Sequence, residues 1–120
     1  MTTTLVTFWE LEENQFLARL RQGIEESQLI YTASQLKEVL QLESQEEIHR
    51  AIQKAINIFN TLNFNSKKHF KQVYCAQNNT ISIDWKLSRL GYLLVLINCD
   101  SEHPLVAKAQ MELIRFKMEQ

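Results

Sequence analysis

Ser88, Arg89, Asn98 and Asp100 are the residues in this chain whose types most suggest catalysis, because a hydroxyl, a guanidinium and a carboxylate occur close in sequence. Spacing argues against it. On a helix, Ser88 and Asp100 stand about 18 Å apart at 1.5 Å per residue, too far to share one reacting atom. Ser88 instead reads as the cap of a helix over 89–98, and Arg89, if buried, needs a carboxylate such as Asp84 or Asp100 beside it. His49, His69 and His103 fall in three separate elements without HxxxH or HxH spacing, so no metal site is expected. Gly23 and Gly91 are too far apart to form a phosphate-cradling loop, and no cofactor is implied. Cys75 and Cys99 lack a CxxC pattern and read as two reduced, partly buried thiols, although a single disulfide stays open.

Binding chemistry is better represented. Arg50, Gln53, Lys54 and Asn57 fall on the outward side of a strongly amphipathic stretch, where bidentate base contacts and phosphate contacts would need them. Gln45 opens that stretch, followed by Glu46 and Glu47, which repel phosphates but can accept a hydrogen bond from cytosine. Lys67, Lys68, His69 and Lys71 form the densest basic cluster and could hold a phosphate backbone. Asn78 and Asn79 are turn formers first and groove readers second. For each group the competing reading is an ordinary solvated surface.

The elements that position these residues follow from periodicity. Trp9, Phe16, Leu20 and Ile24 predict a helix over 8–26. Leu29-Ile30-Tyr31 reads as a short strand, and Thr32 or Ser34 can cap a short helix over 33–42 that buries Leu36, Val39 and Leu40. Ser44 and Glu47 fit a capping box. The helix it opens, 46–62, places Ile48, Ala51, Ile52, Ala55, Ile56, Phe59 and Leu62 on one face. Residues 70–75 and 80–85 then alternate polar and apolar about Ala76-Gln77-Asn78-Asn79, which predicts a β-hairpin. A helix apolar nearly all round follows over 87–99, and Pro104 opens a last helix over 105–118.

At 120 residues with 45% hydrophobic content, the chain suffices for one domain: a helical extension over 1–28, a two-helix corner with hairpin over 29–86, and C-terminal helices over 87–120. Two glycines and one proline favour an α+β, mostly α fold. Strand, short helix, capped helix and hairpin in that order suit a winged helix-turn-helix, in which the second helix enters the major groove. No apolar run approaches a membrane span and no secretory pattern opens the chain, so a cytoplasmic location is expected. The net charge of −1 divides into −6 over residues 1–48 and +5 over 49–120, compatible with separate acidic and basic faces or with charges that mix and cancel.

The most specific stretch runs from Leu87-Ser88-Arg89 through Asn98 and Asp100 to Pro104, Val106, Ala107, Ala109 and Gln110. It resembles the DNA damage-inducible protein D family, related to the BRO N-terminal domains of viruses and phages, whose pattern reads roughly L-S-R-x-A-x-Y-L-I-x-x-N-x-D and then K-P-x-[IV]-A-x-A-Q. Tyr31-Thr32-Ala33-Ser34-Gln35-Leu36 and His69-Phe70 lie collinear with less specific parts of that pattern, so the resemblance covers about residues 29–116. It implies a phage-related, antirepressor-like or DNA-damage-response regulator, binding DNA or modulating a recombinase. The alternative is a protein-interaction module without direct DNA contact. Apolar residues on two sides of 105–118 (Val106, Ala109, Leu113 and Phe116; Met111, Ile114 and Met118) predict a homodimer.

Overall fold

The structure, a computed structural model, describes residues 22–23 and 25–119. The helix expected over 8–26 therefore lies almost wholly outside the described residues. Of it, Gln22, Gly23 and Glu25 are helical, and the Glu26 amide donates to the Gln22 carbonyl at 2.9 Å. The chain then forms β1 (Tyr31–Thr32), α1 (Ala33–Leu40), α2 (Gln45–Thr61), a 3₁₀ turn (Ser66–Lys68), β2 (Phe70–Gln77), β3 (Thr80–Leu87), α3 (Arg89–Ile97) and α4 (Pro104–Met118). The fold is α+β and mostly helical, with one antiparallel sheet in the order β1-β3-β2. No described helix is long and apolar enough to cross a membrane.

Helix α1 starts where Thr32 and Gln35 exchange bonds: the Thr32 hydroxyl accepts from the Gln35 amide at 3.2 Å, and the Gln35 side chain accepts from the Thr32 amide at 3.0 Å. That is a capping box, and it stands one helix earlier than expected. At the next helix Ser44 accepts from the Glu46 amide at 3.0 Å, and Glu47 returns no bond. Glu47 is half-buried and lines the same cleft as Cys99. Helix α1 stops at Leu40 because Gln41 takes a left-handed conformation with φ of 53°. Ala33, Leu36 and Leu40 are buried, whereas Val39, expected with them, is exposed. At 100° per residue it falls beside the stripe rather than on it.

Helix α2 buries Ile48, Ala51, Ile52, Ala55 and Phe59. Leu62, expected in that row, is exposed because the helix ends at Thr61 and Asn63 turns left-handed at φ 60°. The Phe64 amide then donates to the Phe59 carbonyl at 2.8 Å, and the Phe64 ring packs edge-on against Phe59. Phe59 also meets Phe70 and His69 with ring centroids 5.1 and 5.0 Å away, so it joins helix to hairpin.

The hairpin strands run further than the expected 70–75 and 80–85, pairing from Phe70↔Leu87 to Gln77↔Thr80. The turn is therefore two residues, Asn78 and Asn79, with φ of 52° and 63°. Two-residue hairpins of the primed type require positive φ at both central positions, and asparagine adopts it more readily than most residues. Beyond the hairpin, α3 buries Gly91, Val95 and Leu96, and α4 buries Val106. From Met111 onward α4 keeps only Leu113 half-buried, and Phe116 is exposed rather than on the core side.

Candidate nucleic-acid interface

On α2 the residues Gln45, Arg50, Gln53, Lys54 and Asn57 are all exposed, as their spacing requires. Arg50 and Asn57 lie opposite the buried row of Ile52, Ala55 and Phe59, given 100° per residue, with Gln53 and Lys54 flanking them on either side. Arg50 and Lys54 line a cleft of about 440 Å³ together with Ile97, Cys99 and His103 at the α3–α4 connection. Burial and then the Glu47 carboxylate push the Cys99 thiol up to about 11, so it stays protonated at neutral pH. In the same cleft the His103 Nδ1 is buried without a hydrogen-bond partner. On the hairpin side of α2, His49 stands 6.5 Å from the Trp85 ring, tilted at 47°. Helix and hairpin thus face one another across His49 and Trp85.

At the hairpin root, Lys67 and Lys68 are exposed on the 3₁₀ turn, and Lys71 pairs in register with Lys86. His69, read with the lysines as surface charge, is not at the surface. It is 1% exposed, and its Nδ1 lies 2.6 Å from the Ser88 hydroxyl. The 3₁₀ turn rotates the chain inward immediately after the lysines. Asn78 and Asn79 are exposed at the far end, several residues from the lysines, so the structure does not bring the two groups together.

The Leu87–Asp100 motif is structural. Ser88 is fully buried and caps α3, its hydroxyl accepting from the Gly91 amide at 3.0 Å while its own amide donates to the His69 carbonyl at 3.0 Å. A side chain at Gly91 would put a Cβ 2.9 Å from that carbonyl. Arg89 is exposed and lines a cleft with Glu25, Glu26 and Tyr31, without an ion pair to Asp84 or Asp100. Asp84 instead accepts from the Ser34 amide and hydroxyl at 3.1 and 2.7 Å and from the Trp85 amide, tying α1 to β3. Asn98 donates to the Leu94 carbonyl and Asp100 accepts from the Glu102 amide, so both finish the end of α3. Tyr92 stacks on Tyr31 at 4.5 Å; burial, and then that neighbouring phenol, raise its pKa.

Among the described residues the ion pairs are Arg115 with Glu112 and with Glu119. Arg50, Lys54, Lys67, Lys68, Lys71, Lys86 and Arg89 have no carboxylate within pairing distance among the described residues. No three of His, Cys, Asp and Glu come together in a metal-holding group among the described residues. Both cysteines are free; Cys99 is buried, but Cys75, expected to be partly buried, is exposed. Compared with protein-family models, curated proteins and solved structures, the chain matches none.

Two contributions escape a reading of the sequence. His49 was visible as an outward residue, but its approach to Trp85 depends on a fold contact. Gln110 donates to the carbonyls of Leu96, Ile97 and Cys99 at 3.0, 3.2 and 3.1 Å, closing the end of α3 from another helix.

Proposed function

We propose that this chain is a small non-enzymatic regulatory protein that binds DNA, with α2 entering the major groove and the hairpin lying beside it as a wing. The reading is carried by one observation. The cations on α2 and around the hairpin root have no carboxylate partners among the described residues, although acidic residues outnumber basic ones in the chain. Exposed charges left unpaired on adjoining elements favour a polyanionic ligand, whose counterions they release on binding. The strand order β1-β3-β2, with two helices between β1 and β2, is the arrangement expected of a winged helix-turn-helix. Glu46 remains at the exposed start of α2 and would restrict how deeply that end approaches phosphate.

The resemblance of the Leu87–Asp100 stretch supports a regulatory setting in DNA metabolism, in the cytoplasm, with a recombinase or another regulator as the alternative partner. The exposed seam on α4 favours a second copy of the chain. Ala107, Met111, Ile114 and Met118 recur at spacings of four, three and four residues, and the last three are 65%, 53% and 80% exposed. A homodimer closed there would carry two α2 helices to successive half-sites.

Salt-dependent anisotropy titration with duplex DNA tests the reading. Binding should be measurable at low salt and should weaken steeply as salt rises. Arg50→Ala should cost roughly 1–3 kcal/mol if it reads a base, and Lys54→Ala should flatten the salt slope by about one. A folded double variant that binds as tightly as the parent would remove α2 from the interface and put the protein-interaction reading first.

A further inference from the structure

We propose that the outer face of the hairpin receives unpaired bases, so that the preferred ligand is a nucleic acid with a single-stranded end beside duplex. This rests on the nucleic-acid reading above and names the class of substrate it would take. The register places Phe70, Gln72, Tyr74 and Ala76 on one face of the hairpin, with Leu87, Trp85, Ile83 and Ile81 directly opposite them. At the root that face is covered: Leu87 is 0% and Phe70 5% exposed. Outward it opens to Ile83 at 48%, Tyr74 at 72% and Ile81 at 73%. The apolar pattern therefore continues past the point where the core ends.

The charge around this face selects its occupant. The segment from Ser66 to Ser88 carries Lys67, Lys68, Lys71 and Lys86 against one carboxylate, Asp84, and Asp84 is engaged by Ser34 and the Trp85 amide. Lys71 and Lys86 stand directly cross-strand on the reverse face, an arrangement that costs sheet stability unless an anion comes between. A second hairpin docked here would bring together two segments of like net positive charge. A single strand satisfies both features, because its bases stack on an aromatic and aliphatic surface while its phosphates are drawn to a segment of net positive charge that presents Lys67 and Lys68 at the root. Paired bases would first have to be unstacked, so bases already free are favoured. Tyr74 is the natural platform: it is the exposed ring on this face and, among the described residues, packs against no other ring.

The test compares three labelled oligonucleotides by anisotropy: a blunt duplex, the same duplex with a single-stranded overhang, and the single strand alone. The overhang should bind about tenfold more tightly than the blunt duplex, a stacking contribution within the usual range for one base. Tyr74→Ala should abolish that preference while holding blunt-duplex affinity within about twofold, and Tyr74→Phe should retain it. Equal affinity of the parent for blunt and overhang ligands overturns the proposal and leaves the duplex reading intact. Loss of affinity for all three ligands alike on Tyr74→Ala also overturns it. If sedimentation shows that Tyr74→Ala dissociates a dimer, the face belongs to a second copy instead. No binding to any of the three ends both readings.

Discussion

The two ends of the hairpin share one pair of strands and one alternation of side chains, yet they live in different environments. At the root, Phe70 and Leu87 are sealed beneath Phe59, and the His69–Ser88–Gly91 contacts lock strand to helix. Toward the tip, Tyr74 and Ile81 on the same face have no cover. The strands are not what differs; what stands over them is. An apolar pattern thus predicts which face a strand would bury, and the elements packed above decide how far along the strand it does so. Stability concentrates at the root, and the tip contributes little to it.

Four substitutions can break or sharpen that contrast under urea denaturation. Phe59→Ala should be the most damaging, at about 3–5 kcal/mol, because it empties the junction of α2, the 3₁₀ turn and β2. A cost near zero would mean that the root is not where helix and hairpin are joined. Ser88→Ala removes both the α3 cap and the bond to His69, and should cost roughly 1–3 kcal/mol. Gly91→Ala, which forces a Cβ against the His69 carbonyl, should fall in the same range. Ile81→Thr, at the tip, should change stability by no more than about half a kcal/mol. Should it cost as much as Ser88→Ala, the outer face is covered in solution and the contrast collapses.

Much of this fold was legible from local pattern. The row from Ile48 to Phe59 fixes α2, the alternation on either side of Asn78-Asn79 fixes the hairpin, and Ser88 announces the cap of α3. The exposed polar residues of α2 were legible for the same reason. Grammar alone did not decide between two equivalent capping sequences: Thr32–Gln35 closes its box and Ser44–Glu47 does not. Nor does sequence reveal that His69 turns inward while its lysine neighbours stay out, since the direction depends on one 3₁₀ turn. Gln110 reaches carbonyls 11 to 14 residues away, a distance at which no short motif speaks. That Arg50 and Lys54 line a cleft depends on the α3–α4 connection being in place.

The unequal placement of the two thiols gives the protein a built-in reporter. Cys75 is exposed on the strand face opposite Tyr74, while Cys99 is buried and held protonated. Reactivity follows the thiolate and its access, so a maleimide dye at neutral pH should enter the folded chain once, at Cys75. The second equivalent should enter only on unfolding. Without any engineered cysteine, the hairpin can therefore carry a fluorophore that reports on a titration without occupying the Tyr74 face.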